Sequence, residues 1–405
     1  MKILSLSSDL SYIALKAQAA QSRSHPSTSH AIAFSQLLSK KIKPMDKQES
    51  NFTGWTHISY EKIPESSNNW NLTESDYRIF KKTAWVVTEK IHGANFCIIA
   101  DGSDVRFAKR KELLQPDEDF FGYQTLRYKL AQQAKDIFKI IQLEHPETFR
   151  VSVYGELFGG EYPHPDVVPV PSVQAVQTGI YYSPKIEFCA FDIAIEENNR
   201  TAKRDYIDYE KALKLFQQVE MLGAKPLFTG KYEQALAQKI EFDSTIPALL
   251  GLPKLPFSNQ AEGIVIKPVK SIYIDTPKGK IRPILKRKIP KFAEESRFHH
   301  AEKWSGQKLA TSPPYLSDDK WLHEAMLALV TENRLMNTLS KVGRVSGKDP
   351  KAIDKVFQLF VNDVIETFNE SYESIFKSLP EKSQQTLIEQ LEQESKKLIN
   401  NYFKK

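Results

Sequence analysis

Apolar runs bounded by turn residues predict a region rich in β-strands between residues 84 and 289. The predicted strands are 84–89, 95–100, 105–110, 149–156, 185–195, 261–269 and 281–289. Asp101-Gly102, between the second and third strands, is typical of a hairpin turn. Helical spacing of apolar residues predicts helices over 123–143 and 209–222. Residues 52–82 show no sustained period, and we expect a loop-rich layer there.

After residue 295 the pattern changes to helical spacing. Asp349 can cap a helix whose first position is Pro350, and Pro380 ends that helix. Its apolar stripe consists of Val356, Phe360, Val364 and Phe368. Ser317-Asp318 can cap an earlier helix, and a charged helix is predicted over 381–403.

The two patterns together predict an α+β chain. A mainly antiparallel domain with flanking helices occupies 51–297, and a small all-α domain occupies 298–405. The boundary falls near 296–316. A length of 405 residues is consistent with two domains, since single cores seldom grow that large.

The N-terminal stretch differs from the rest of the chain. Residues 1–44 contain ten serines and a single acidic residue, Asp9, which is the composition of an organellar transit peptide. Only one arginine is present, however, and the apolar residues of 12–20 make a poor amphipathic face. We therefore predict that 1–50 is a disordered or non-core extension, or that translation starts at Met45. The expected location is the cytoplasm, with an organelle as the alternative if the stretch is a transit peptide.

Composition narrows the class of protein only slightly. The two cysteines, Cys97 and Cys189, stand inside apolar runs, which indicates buried thiols in a reducing compartment. No run of about 18 apolar residues occurs, so no transmembrane helix is predicted. The net charge of +6 permits nucleic-acid binding without establishing it.

Charged residues stand at the ends of five predicted strands. The segments are 90–93 (Lys-Ile-His-Gly), 107–110 (Phe-Ala-Lys-Arg), 154–156 (Tyr-Gly-Glu), 261–263 (Ala-Glu-Gly) and 285–288 (Leu-Lys-Arg-Lys). Strand alternation places Lys286 and Lys288 on one face and Arg287 on the other. If these strand ends converge, the resulting cationic site suits a polyphosphate. Its two carboxylates, from Glu156 and Glu262, suit ribose hydroxyls or a divalent metal.

Each segment taken alone also has a structural explanation. Lys90 and Gly93 fit a hairpin edge and its turn, although lysine is seldom buried without a partner. His92 alone would be a hydrogen-bonded structural histidine, and Phe191 alone would be part of the core. Only the five segments together, in this order, are specific.

Together they resemble the signature motifs of the covalent nucleotidyltransferase superfamily, and most closely those of the RNA ligase 2 family. The matching segments are 89–96 (Glu-Lys-Ile-His-Gly-Ala-Asn-Phe), 108–110, 154–159 (Tyr-Gly-Glu-Leu-Phe-Gly), 191–193 (Phe-Asp-Ile), 261–268 (Ala-Glu-Gly-Ile-Val-Ile-Lys-Pro) and 286–292 (Lys-Arg-Lys-Ile-Pro-Lys-Phe). DNA ligases and capping enzymes carry an acidic residue at the position of His92. The likeness spans about 84–295, and the helical part matches more loosely, at 332–335 and 340–343.

The resemblance implies an ATP-grasp-like nucleotidyltransferase domain and an ATP-dependent RNA ligase that uses Mg²⁺ or Mn²⁺. Lys90 would attack ATP and form a lysyl-AMP intermediate, for which its amine must first lose its proton. AMP would pass to an RNA 5′-phosphate, and a 3′-hydroxyl would then seal the ends. The implied partner is RNA at a duplex nick or with bridged ends. A monomer without membrane association is expected.

The resemblance also implies roles for the other motif residues. Phe191 and Val265 would enclose adenine, and the backbones of Glu89 and Ile91 would bind its edge. Glu156 would hold the ribose, while Asn95 and Arg110 would hold ribose or phosphate groups. Lys286 and Lys288 would stabilise the charge on the phosphates, and Glu262 would lie near the metal. His92 is distinctive of the family and receives no definite role.

Two departures and two alternatives accompany this prediction. Ala94 replaces a small hydroxyl residue common in the family, and residues 161–182 match no motif. A basic run contacts RNA phosphates or is simply a solvated loop; it comprises Lys278, Lys280, Arg282, Lys286, Arg287, Lys288 and Lys291. The alternatives are a DNA ligase or capping-type nucleotidyltransferase, and a non-catalytic nucleic-acid-binding protein.

Overall fold

The computed structural model describes residues 55–197, 204–277, 279–292 and 319–404. By contacts the chain divides into Met1–Trp55 and Thr56–Lys405, and the elements below belong to the second unit. The predicted N-terminal extension, the domain boundary near 296–316, the cap at Ser317-Asp318 and Lys278 lie outside the described residues. The domain limits therefore stay a prediction.

The described residues form eleven strands and nine α-helices. The strands are β1 (Trp85–Glu89), β2 (Ala94–Ala100), β3 (Val105–Lys109), β4 (Thr148–Glu161), β5 (Ser183–Glu197), β6 (Arg204–Tyr206), β7 (Pro226–Gly230), β8 (Gly263–Pro268), β9 (Ile274–Thr276), β10 (Gly279–Ile281) and β11 (Leu285–Lys288). The helices are α1 (Glu74–Lys82), α2 (Arg127–Glu144), α3 (Tyr209–Gln218), α4 (Tyr232–Leu236), α5 (Ile246–Leu249), α6 (Asp319–Leu327), α7 (Glu332–Val342), α8 (Pro350–Ser378) and α9 (Glu381–Lys404).

Two large antiparallel sheets and a two-stranded one, β10-β9, lie in the first part of the chain. Of the two large sheets, the larger has the order β3-β2-β4-β5-β6, and α2 packs its buried stripe of Leu130, Ala134 and Ile137 into the same core. The smaller has the order β11-β8-β1-β7, and Trp85 and Phe80 are buried in its own cluster. Residues 90–93 connect β1 of the smaller sheet to β2 of the larger. This crossing brings the ends of strands from both sheets together.

The helical part has a separate core. Phe360, Val364 and Phe368 of α8 are fully buried there, as the predicted stripe requires. Asp349 caps α8 by accepting from the backbone N–H groups of Lys351 and Ala352. The predicted α+β class, with mainly antiparallel sheets followed by helices, is confirmed.

Polar contacts join the helical part to the sheets. Lys62 Nζ lies 2.7 Å from Glu370 Oε1, and both side chains are largely exposed. A second pair, Lys355 Nζ and Glu112 Oε1, is 3.1 Å apart. Further hydrogen bonds run from Arg344 to the Gln174 carbonyl, from Asn333 to the Lys291 carbonyl and from Gln177 to the Met336 carbonyl.

Two sequence predictions are wrong in part. Residues 52–82 were expected to be loop-rich; 55–67 and 71–73 are loops, but 74–82 form α1, whose Thr73 forms a reciprocal cap with Asp76 and whose Phe80 is buried. A single strand was expected over 281–289, but β10 ends at Ile281 and β11 begins at Leu285. Pro283 explains the interruption, because it cannot donate a backbone hydrogen bond within a sheet. Cys97 and Cys189 are buried free thiols, as predicted.

Gly263 begins β8 with a φ of 149°, and an added Cβ would lie 2.0 Å from the Arg287 carbonyl oxygen. We expect Gly263→Ala to cost about 1–3 kcal/mol of stability through its strained φ and a further ~1–3 kcal/mol through overpacking. Gly279→Ala is the matched control, because its φ is 105° and no described atom meets its Cβ within 4 Å. Urea unfolding of both variants measures the difference. Equal losses would contradict the steric explanation.

Candidate active site

The crossing from β1 to β2 forms the floor of a cavity of about 400 Å³, here called the central cavity. The Lys90 backbone N–H donates to the Gly263 carbonyl oxygen at 2.9 Å, which fixes this crossing against β8. All twelve residues singled out in the sequence line the cavity: Glu89, Lys90, Ile91, His92, Asn95, Arg110, Glu156, Phe191, Glu262, Val265, Lys286 and Lys288. The strand ends therefore converge, as the charge pattern indicated.

Glu262 is the centre of the charged groups. Its side chain is 2% exposed, with Oε2 lying 2.6 Å from Lys90 Nζ and 3.5 Å from His92 Nδ1. Oε1 lies 3.3 Å from Lys288 Nζ. Burial alone would raise the pKa of Glu262, but Lys90, Lys288 and the hydrogen bond from His92 outweigh it and hold this pKa well below its usual range. Glu262 is therefore a carboxylate with both oxygens engaged.

The lysines of β11 follow the predicted alternation. Lys286 and Lys288 line the central cavity, whereas Arg287 donates to the Leu236 carbonyl at 2.6 Å. Lys286 Nζ also lies 4.0 Å from Glu65 Oε1. The cavity thus presents several cations around one buried carboxylate, which suits a phosphate-bearing ligand.

Glu156 provides a second carboxylate of different character. It is paired with Asn95 across β2 and β4. Burial raises the pKa of Glu156 to about 7, against the opposing effects of Lys90, Arg110 and a hydrogen bond from Asn95; Glu262 adds to the rise. Near neutral pH this group therefore exchanges between its protonated and ionised forms.

Phe191 and Val265 are both half-buried on the cavity surface. The ring of Tyr60 meets the edge of Phe191 with centroids 4.9 Å apart. Lys267 Nζ donates to the Phe191 carbonyl at 2.6 Å, so the backbone of Phe191 is held as well as its ring. An aromatic face beside an aliphatic side chain is a suitable binding surface for a planar ring.

A buried polar cluster lies directly behind Phe191. Asp192 accepts from Tyr60 at 2.5 Å, from Arg282 at 2.6 Å and from Lys267 at 3.0 Å. Burial would raise the pKa of Asp192, but Arg282, Lys267 and Tyr60 outweigh it and lower that pKa. The guanidinium of Arg282 also stacks on Tyr206, 3.4 Å from the ring centroid. The cluster anchors the strand that presents Phe191.

Helices α7 and α8 form one side of the central cavity, here called the helical wall. Its members are Arg334, Asn337, Ser340, Lys341, Asp363, Glu366 and Thr367. Asp363 binds Arg334 at 2.5 Å and Lys341 at 2.6 Å, so a single carboxylate is shared by two cations. The helical part thus contributes directly to the site.

Several residues of the site were not predicted from the sequence. Tyr60 lies in the segment expected to be a loop-rich layer, and nothing local indicates its contact with Asp192. Tyr182, whose hydroxyl accepts from the His92 backbone N–H at 2.9 Å, lies in the unmatched segment 161–182. Lys267 stands within a quoted motif but received no role. The helical wall was indicated only by the loose likeness at 332–335 and 340–343.

We expect Asp192→Asn to destabilise the protein by about 3–5 kcal/mol, because it leaves Lys267 and Arg282 buried without their carboxylate. The same change should weaken binding at Phe191, measured as a higher KM for the nucleotide with a smaller change in kcat. Asp166→Asn is a control, since that carboxylate is largely exposed. An unaltered melting temperature in Asp192→Asn would refute the anchoring role.

Glu156 gives a pH-dependent test. Between about pH 4.5 and about 7 the unfolded carboxyl releases its proton while the folded one retains it, so stability falls as pH rises through this window. Glu156→Gln should remove this fall. The free energy of unfolding of the variant, measured relative to that of the parent, should therefore rise by up to about 3 kcal/mol between pH 4 and pH 8.

Chemical unfolding at intervals from pH 4 to pH 8 measures the slope. Glu112→Gln is a control of opposite sign: burial would raise the pKa of Glu112, but Lys109 and Lys355 outweigh it and lower that pKa. If Glu156→Gln and the parent show parallel slopes, the assignment of the raised pKa to Glu156 is wrong.

Two family models match the chain. A family model described as RNA ligase matches residues 83–288, and one described as T4 RNA ligase 2 C-terminal matches residues 315–397. The first contains every site residue predicted from the sequence, and the second contains the helical wall.

Two curated relatives come from Trypanosoma brucei brucei. The chain is 32% identical over 358 residues to a mitochondrial RNA-editing ligase 2, covering 79% of this chain and 85% of that protein. It is 28% identical over 407 residues to a mitochondrial RNA-editing ligase 1, covering 89% and 85%. A solved Naegleria gruberi RNA ligase with PPi is 16% identical with a TM-score of 0.36, covering 60% of this chain and 58% of that one. This last likeness is too low to add to the assignment.

Proposed function

This chain belongs to the RNA ligase 2 family, and we propose that it joins RNA 3′-hydroxyl and 5′-phosphate ends through a lysyl-AMP intermediate on Lys90. The observation that carries the proposal is the position of Lys90, 2.6 Å from Glu262 at the floor of the central cavity. A lysine nucleophile, additional cations and a ring-binding surface face a single space there. ATP is the proposed co-substrate.

The first step requires Lys90 as a neutral amine, because only its lone pair can attack phosphorus. Its ion pair with Glu262 must therefore open and its proton must leave. The lone pair then forms a bond to the α-phosphorus of ATP, while the bond to the bridging oxygen breaks and pyrophosphate departs. Lys288 and Lys286 lie where they can stabilise negative charge on the phosphates.

The nucleoside of ATP would occupy the surface formed by Phe191 and Val265. Glu156 and Asn95, paired on adjacent strands, would hold the ribose, with Arg110 on ribose or phosphate. The side chain of Glu89 is bound to Ser244 and Thr245, so only its backbone is available for the adenine edge.

A divalent metal fits the site only together with ATP. Mg²⁺ commonly takes one or two carboxylates plus phosphates and water. The described residues contain no group of three His, Cys, Asp or Glu side chains that could hold a metal alone. Glu262 would supply its carboxylate once the phosphates of ATP engage Lys90 and Lys288. When bound, Mg²⁺ or Mn²⁺ would neutralise phosphate charge.

Two further transfers complete the proposed reaction. An oxygen of the RNA 5′-phosphate attacks the phosphorus of lysyl-AMP, which releases Lys90 and leaves an adenylylated RNA end. A 3′-hydroxyl then attacks the RNA phosphorus, forms the phosphodiester bond and releases AMP. The names of the two editing relatives support RNA as the polymer that is joined, and a nick in duplex RNA, or ends bridged by a complementary strand, is the proposed substrate.

The cellular location and the oligomeric state of the protein are also proposals. No helix within the described ranges is long and apolar enough to cross a membrane. The mitochondrial names of the relatives favour the organellar alternative over the predicted cytoplasm. The monomeric state stays a prediction.

Mass spectrometry after incubation with ATP and Mg²⁺ tests the intermediate. The parent protein should gain the mass of one AMP, and Lys90→Ala should gain none because the attacking amine is absent. Lys239→Ala is the matched control, since Lys239 is exposed and does not line the central cavity. A parent protein without the adduct, or an adduct on Lys90→Ala, would overturn the proposal.

Sealing assays separate the alternatives. We expect labelling from ATP but not GTP, and joining of nicked RNA in preference to nicked DNA. Labelling by GTP would indicate a capping-type enzyme, and sealing confined to DNA would indicate a DNA ligase. A protein that binds RNA without acquiring AMP would be the non-catalytic alternative.

A further inference from the structure

A second cavity, of about 540 Å³, adjoins the central one. The two share His92, Glu262, Lys288 and Asn337 but not Lys90, which lines only the central cavity. The volume is within the range of small-molecule sites. The second cavity therefore borders the charged groups around Glu262 from a different side than the central cavity does.

The rest of its lining comes from elements on opposite sides. Phe292 follows β11, with its ring centroid 5.0 Å from that of His92. Tyr402 and Phe403, near the end of α9, lie with ring centroids 5.2 Å apart at 86°. Asn333 and Met336 of α7 also line it. The second cavity is thus a cleft between the catalytic strands and the last helix.

Its chemistry is that of nucleotide recognition. Aromatic rings provide surfaces on which bases stack, and amide side chains hydrogen-bond to base edges. Tyr402 and Phe403, both half-buried, provide rings, Phe292 is buried in the lining, and Asn333 and Asn337 provide amides. Lys288, whose side chain is 3% exposed, provides a cation on the wall shared with the central cavity. A base on the rings and a phosphate near Lys288 fit the two ends of this cleft.

We propose that the second cavity binds the terminal nucleotide of the RNA strand that carries the 5′-phosphate. The proposal rests on the proposed function, because it needs an adenylate on Lys90 as the group to be transferred. The phosphate would face Lys288 and accept AMP from the central cavity, while the base of the same nucleotide stacks on Tyr402. The 3′-hydroxyl strand is not assigned to this cavity.

Single-turnover kinetics tests the assignment with three measurements on each protein. These are formation of lysyl-AMP, transfer of AMP to a 5′-phosphorylated RNA with a blocked 3′ end, and sealing of pre-adenylylated RNA. Tyr402→Leu removes a ring while keeping an apolar side chain. It should lower the ratio of the transfer rate to the lysyl-AMP formation rate by about tenfold, as expected for one lost stacking contact.

Tyr402→Phe keeps the ring and should keep the ratio of the parent, and an unchanged rate of lysyl-AMP formation in Tyr402→Leu separates loss of stacking from a general structural defect. Tyr128→Leu is the control, because Tyr128 is 87% exposed on α2 and remote in sequence from the lining. Equal ratios in Tyr402→Leu and Tyr402→Phe would overturn the stacking role. A defect confined to sealing of pre-adenylylated RNA would assign the cavity to the 3′-hydroxyl strand instead. A parent protein that forms no lysyl-AMP would refute the proposed function itself.

Discussion

The buried carboxylate of Glu262 is the interaction on which the site depends. Lys90 approaches it from the β1–β2 crossing and Lys288 from β11, and His92 lies beside the same oxygen as Lys90. Without this charge the two ammonium groups would repel each other in a poorly solvated space. The carboxylate also joins three segments distant in the chain, because its neighbours come from the β1–β2 crossing and from β11. Its contribution is therefore both electrostatic and architectural.

The two sheets explain why these segments meet. Residues 90–93 leave one sheet and enter the other, so the Lys90 side chain lies at their junction. Behind it, the cluster around Asp192 holds Phe191, with buried positive groups compensated by one carboxylate and by the Tyr60 hydroxyl. Such clusters are costly when incomplete, because each remaining charge is left without a partner. The geometry of the ring-binding surface thus follows from polar contacts behind Phe191, two of whose members, Tyr60 and Lys267, also line the central cavity.

The sequence predicts those parts of the structure that local patterns encode. Alternation in β11 correctly separates Lys286 and Lys288 from Arg287, and the periodic apolar residues of α2 and α8 are buried. The helix α1 escaped prediction because its cap pairs Thr73 with Asp76, a weaker signal than the usual glutamate, and its one buried residue, Phe80, makes no stripe. Tyr60 and Tyr182 act through contacts across 132 and 90 positions of the chain, which no local spacing encodes.

The ion pairs Lys62–Glu370 and Lys355–Glu112 affect how an RNA polymer can enter the central cavity. A cavity of about 400 Å³ walled by α7 and α8 can exclude water from a nucleotide, but it is far narrower than a nucleic-acid duplex. Exposed ion pairs contribute only about 0–1 kcal/mol each and weaken as salt is added. The bonds across this seam are therefore of the kind that separate at little cost. The central cavity can therefore enclose a nucleotide closely, and the contacts between the helical part and the sheets can still separate to admit a larger substrate.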